Sequence, residues 1–188
     1  MHLALLGLPL FIGLTLLGAA EADITLPGTD GANHTPLKVA AEKKGVVLIF
    51  GSPFCNTANT FLPEINAITE AFEDRFDFYL VHSEADLALT QVMEHKELLM
   101  VRPMALLDKQ QRLAKHTGAR ITPEVVLLSP KGDTLYQGRI NDLYLGPTKR
   151  QRKATTADLR AALTATAEGK PVTTPRTEAM GCKITGLN

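Results

Sequence analysis

The 188 residues are enough for one domain with extensions, and 45% apolar against 21% charged residues is an ordinary globular composition. Lys+Arg and Asp+Glu stand at 20 each, so there is no basic excess to favour a nucleic-acid or anionic-membrane partner. The one local basic run, Lys149-Arg150-Gln151-Arg152-Lys153, reads as a solvated loop ahead of a helix.

Residues 1–22 read as a secretory signal peptide. Leu3 to Leu17 is an almost uncharged apolar run, and Ala20-Glu21-Ala22 fits an A-x-A cleavage site before Asp23. The run is about 15 residues, short for a membrane span. No cysteine follows it to carry a lipoprotein-type anchor. The expected mature chain is soluble, off the membrane, and periplasmic or secreted.

Residues 23–34 are turn-rich and read as an extended lead-in, with a short strand expected at Pro36 to Ala40. Val46 to Phe50 is an unbroken β-branched and aromatic run ending at Gly51-Ser52-Pro53. That is the signature of a strand buried on both faces. Cys55 follows at once. Then Phe61, Leu62, Ile65, Ile68 and Phe72 mark one apolar helix face, interrupted by Pro63, which removes a backbone donor and should kink the helix. The thiol therefore lies at a helix N-terminus, at the carboxyl end of a central strand. Unsatisfied N–H groups and the helix dipole there favour the thiolate, so the Cys55 pKa is expected to fall. The bland alternative is an inert buried cysteine.

Phe76 to Ser83 reads as a second strand, Glu84 to Leu99 as a helix, and Met104 to Leu107 as a short apolar stretch ending in Asp108. Gln110 to Thr117 is a short helix stopped by Gly118. Ile121-Thr122-Pro123-Glu124 leads into the strand Val125 to Leu128. A turn cluster at Ser129 to Asp133 returns the chain along Thr134 to Ile140, which makes a hairpin. The last helix, Thr156 to Ala167, takes Thr155 or Thr156 as its N-cap, and Asp142 reads as structural, pairing with a basic neighbour. Residues 169–188 form a Pro/Thr/Gly tail carrying Cys182.

This order over residues 35–168 resembles the thioredoxin-like superfamily, an α/β fold with a central mixed β-sheet flanked by helices. It is most similar to exported redoxins of the alkyl hydroperoxide reductase/thiol-specific antioxidant type. The motifs that carry the likeness are Cys55 after the first core strand, Pro63 eight residues on, Thr122-Pro123 before the hairpin, and Gly138-Arg139 after the returning strand. The resemblance implies a cis Pro123 beside the cysteine and a substrate wall formed by Thr122 and Pro123. It also implies a protein thiol or disulfide, or a small peroxide, as partner, with no cofactor and no metal.

The residues leave several chemistries open for Cys55. Thiol–disulfide exchange needs a second thiol, and the CxxC position holds Ala58. Cys182 can serve if the tail folds back over the helix mouth. A peroxiredoxin-like peroxidase would use Ser52, three residues before Cys55, to steer the peroxide, with Arg120 or Arg139 against the thiolate. Leu48 stands where that family has a proline. Copper chaperoning in the same fold needs a C-x3-C pair, and position 59 is Asn59; His82 is the nearest candidate histidine. A non-catalytic scaffold would use Cys55 and Cys182 as a structural disulfide.

Overall fold

The computed structural model describes residues 24–146 and 149–187; the expected signal segment lies outside them. In chain order the strands and helices are β1 (Leu26–Pro27), β2 (Asn33–His34), β3 (Val46–Gly51), α1 (Asn56–Phe72), β4 (Asp77–His82), α2 (Leu89–Leu98) and β5 (Met104–Leu107). There follow α3 (Arg112–Thr117), β6 (Ile121–Thr122), β7 (Glu124–Leu128), β8 (Thr134–Gly138), β9 (Tyr144–Gly146), β10 (Lys149–Arg150), α4 (Asp158–Ala167) and β11 (Cys182–Lys183).

Five strands make the central sheet in the order β5-β4-β3-β7-β8. β3 is parallel to β4 and antiparallel to β7, so the sheet is mixed. Val46 to Phe50 are all fully buried, as an unbroken apolar run in the middle of a two-sided sheet requires. The strand period of two splits them. Val47 and Ile49 join one core with Phe61, Leu62, Ile65 and Ile68 of α1 and Leu159 and Leu163 of α4. Val46, Leu48 and Phe50 join a second core on the other face, under Leu113 and Ala114 of α3, Ile24 and Leu26 of the lead-in, and Ile184 of the tail.

Both sheet edges are covered. On the β5 side, Gly28 bridges to Leu106 and the Thr29 N–H donates to the Ala105 carbonyl at 3.0 Å. On the β8 side, the Gln137 N–H donates to the Pro175 carbonyl at 2.9 Å, and the Thr177 N–H donates to the Gln137 carbonyl at 3.1 Å. Unpaired strand edges invite pairing with other chains, and the two ends of this chain occupy them.

Several boundaries differ from the sequence reading. Pro36 to Ala40 is a turn region, and the lead-in instead forms the β1–β2 hairpin. α2 starts at Leu89, five residues late. Residues 84–88 turn so that Leu87 is buried, and the Ala88 N–H is taken by Gln91 Oε1 at 2.9 Å. Neither Thr155 nor Thr156 is the N-cap of α4. Their N–H groups donate to Asp142 Oδ1, at 2.6 and 2.9 Å, and the Thr155 hydroxyl binds Asp142 Oδ2. Asp142 thus binds amides and a hydroxyl, with Arg139 near enough to interact through charge, and those bonds hold its carboxyl well below the usual range. Gly118 ends α3 at φ 72°, as the sequence predicts.

Candidate active site

Cys55 is the N-cap of α1, at the point where β3 leaves the sheet. The cap has no side-chain hydrogen bond and the first turn holds no acidic residue. The N–H groups of that turn are therefore left for whatever sits on the Cys55 side. Cys182 sits there. The two cysteines form a disulfide across 127 positions of sequence, with Cα atoms 6.1 Å apart.

Cys182 reaches Cys55 because the tail is built into the fold as a strap. After lying along β8, the chain crosses the Thr122–Pro123 step and forms β11, which pairs antiparallel with β6, Cys182 opposite Thr122 and Lys183 opposite Ile121. The Thr122 hydroxyl donates to the Cys182 carbonyl at 3.4 Å, and the Ile184 N–H donates to the Arg120 carbonyl at 2.9 Å. Further on, Gln111 Nε2 donates to the Thr185 carbonyl at 2.7 Å and to the Ser83 carbonyl at 2.8 Å. The crossing needs a glycine: a Cβ on Gly181 would run into the Thr122 carbonyl and lie 3.1 Å from Pro123 Cδ.

The Thr122–Pro123 peptide bond is cis, and the Thr122 carbonyl oxygen lies 3.0 Å from Cys55 Sγ. In the disulfide that sulfur has no proton, so the contact becomes a hydrogen bond only when Cys55 is a thiol. Ser52 is buried and shapes the turn: its hydroxyl accepts the Phe54 N–H at 3.2 Å, and its carbonyl accepts the Cys55 N–H at 3.2 Å. Of the two arginines expected against the thiolate, Arg139 is committed to Asp158 at 2.9 Å and Arg120 is exposed.

Asn59, His95 and His82 hold the Cys55 loop from below; of these the sequence suggested only His82, as a candidate copper ligand. Asn59 Nδ2 donates to the Pro53 carbonyl at 3.0 Å, and its Oδ1 meets His95 Nε2 at 3.0 Å. His95 packs edge-on against His82, ring centres 5.2 Å apart, and His82 Nδ1 meets the Gly51 carbonyl at 3.1 Å. A carbonyl can only accept, so Nδ1 of His82 carries the proton and its buried Nε2 is a lone pair with no hydrogen-bond partner among the described residues. Burial, reinforced by His95, pushes His82 down to about 3. The signal available in the sequence was Asn59 itself, a polar residue one turn into an otherwise apolar helix face.

Glu84 lies beyond the end of β4, its Oε2 buried and without a hydrogen-bond partner among the described residues. Burial pushes its carboxyl up, and the Ser52 hydroxyl beside it pulls the other way. A groove of about 560 Å³ opens between the Pro53-Phe54 turn and α2, lined by Pro53, Phe54, His95 and Leu98. Among the described residues no three His, Cys, Asp or Glu side chains are grouped to hold a metal ion.

The mixed sheet, its strand order and the helix-mouth cysteine facing a cis proline define a thioredoxin-like fold. Solved structures share it. A hypothetical protein of Sinorhizobium meliloti is 24% identical, with 89% of this chain and 92% of that one covered at a TM-score of 0.76. An uncharacterized conserved protein of Geobacillus kaustophilus is 21% identical, with 87% and 88% covered at 0.72. A secreted disulfide oxidoreductase of Mycobacterium tuberculosis is 16% identical, with 77% and 97% covered at 0.56. At these identities the likeness is one of fold, and the narrower resemblance to alkyl hydroperoxide reductase-type redoxins rests on the sequence motifs alone. No family model matches the chain, and no curated protein matches it.

Proposed function

We propose that this chain is an exported thiol–disulfide oxidoreductase that works through the Cys55–Cys182 pair on protein thiols or disulfides. The observation that carries the reading is the strap: a tail of irregular composition is pinned on both sides of Cys182, and the pin sets that sulfur against a cysteine at a helix N-terminus. A helix end stabilises a thiolate, which makes Cys55 a good leaving sulfur when the bridge opens. In this reading Thr122 and Pro123 form the wall beside the reacting sulfurs and Ser52 holds the turn that presents Cys55. Export rests on the apolar run and A-x-A site of residues 1–22. The Mycobacterium tuberculosis neighbour, described as a secreted disulfide oxidoreductase, supports the same class.

The test is catalysis of disulfide reduction in a protein substrate by dithiothreitol, with and without the chain. Acceleration that disappears in both Cys55→Ser and Cys182→Ser is the expected result. One observation favours a second reading, a purely structural bridge: Cys55 is only 1% exposed. That reading requires no acceleration and a reduction potential below roughly −300 mV. The peroxidase alternative has a separate check: a reduced chain that consumes hydrogen peroxide no faster than free cysteine is not a peroxidase.

A further inference from the structure

The two sulfurs of the bridge are not equivalent. Cys55 is 1% exposed, under the strap and against the Thr122 carbonyl, whereas Cys182 is exposed on β11. A thiolate must approach the sulfur it attacks in line with the bond that breaks. Attack on Cys55 would have to come from the side opposite Cys182, through the protein. Attack on Cys182 is directed at an exposed residue. Leaving-group chemistry points the same way, because the electron pair released by attack at Cys182 arrives on Cys55, at the uncapped N-terminus of α1.

We infer that the mixed disulfide with the partner forms on Cys182, the tail cysteine, and that Cys55 is the buried leaving and resolving thiol. This rests on the exchange reading above and reverses the roles that the sequence suggests. In the forward step a partner thiolate bonds to Cys182 Sγ as the Cys182–Cys55 bond breaks, and Cys55 departs as a thiolate. A second thiolate of the partner then attacks the partner's own sulfur in the mixed disulfide, which forms the partner's disulfide and releases Cys182 as a thiolate. The partner loses two electrons and the bridge gains them. In the reverse direction the Cys182 thiolate opens a partner disulfide, and Cys55 attacks Cys182 Sγ to re-form the bridge and expel the partner.

The strap suits this assignment. Its contacts to β6, Arg120 and Gln111 do not involve the sulfur, so opening the bridge leaves Cys182 tethered above Cys55. A mixed disulfide on Cys182 would therefore stay within reach of its resolving thiol.

The experiment uses the oxidised chain and glutathione, which has no second thiol. Samples are quenched in acid, unfolded, treated with N-ethylmaleimide and mapped by mass spectrometry, with total free thiol followed in parallel. The single-cysteine variants Cys55→Ser and Cys182→Ser are given glutathione disulfide as a second arm. The expected result is glutathione on Cys182 and maleimide on Cys55, with the thiol at 182 in Cys55→Ser reacting about tenfold or more faster than the thiol at 55 in Cys182→Ser. Glutathione mainly on Cys55, or an even split with equal variant rates, overturns the assignment and leaves the exchange reading standing. A bridge that yields neither adduct nor free thiol overturns the exchange reading and this assignment with it.

Discussion

At the scale of single residues, the Cys55 loop is held by polar side chains that themselves never touch the sulfurs. Asn59 satisfies the Pro53 carbonyl and His95 together. Asn59→Ala removes the partner of a part-buried carbonyl and of an imidazole N–H, which is expected to cost about 1–3 kcal/mol by urea unfolding. His82 gives the chain a pH dependence whose sign follows from its burial. Its folded value of about 3 lies below the unfolded value, roughly 6.5. Below pH 6.5 the unfolded chain binds a proton that the folded chain refuses, so stability is fully present above that pH and falls as pH drops towards 3. At pH 4.5 the expected loss is about 2–3 kcal/mol. His82→Asn keeps a donor for the Gly51 carbonyl and should flatten the slope between pH 7 and 4.5. An unchanged slope would remove His82 from the account.

Among the elements, the strap is the one whose behaviour separates fold from chemistry. Ile184 is 5% exposed in the core under α3. Ile184→Ala is expected to destabilise the oxidised chain by about 2–5 kcal/mol, read from the denaturation midpoint. Gly181→Ala acts differently, because a methyl there meets the Thr122 carbonyl and must push the strap off β6. Dithiothreitol should open its bridge about tenfold faster, equivalent to about 1.4 kcal/mol of lost support. A rate unchanged from the parent chain would mean that the β6–β11 pairing does not hold the sulfurs together. α2 is shorter than the helix expected from Glu84 to Leu99: it begins at Leu89, after a turn in which Leu87 is buried.

For the molecule as a whole, the bridge closes a loop of 127 positions and ties the tail to the first core strand. On the chain-entropy account, removing it in Cys182→Ser should lower stability by about 4–5 kcal/mol. Calorimetry of oxidised and reduced chains checks this, and a loss well under about 2 kcal/mol would show that the strap's backbone and core contacts suffice without the bond. How much of this was legible beforehand depends on range. The buried strand at Val46 to Phe50, the apolar face of α1, the hairpin around Ser129 to Asp133 and the cysteine at the helix mouth were all readable, because each is a pattern among near neighbours. The start of α4 was not, since Thr155 and Thr156, the two expected caps, are bound instead by Asp142, which lies outside the helix altogether. Neither were Asn59, His82 and His95 as one network, which needs contacts 31 and 36 positions apart. The sequence by itself determined that a cysteine follows the central strand and that its local partner is missing at Ala58. Only the tertiary structure decided that Cys182 bonds to Cys55, and that Cys55 is buried while Cys182 is exposed. A two-residue strand has no period to read, and burial is a property of what packs around a residue rather than of the residue.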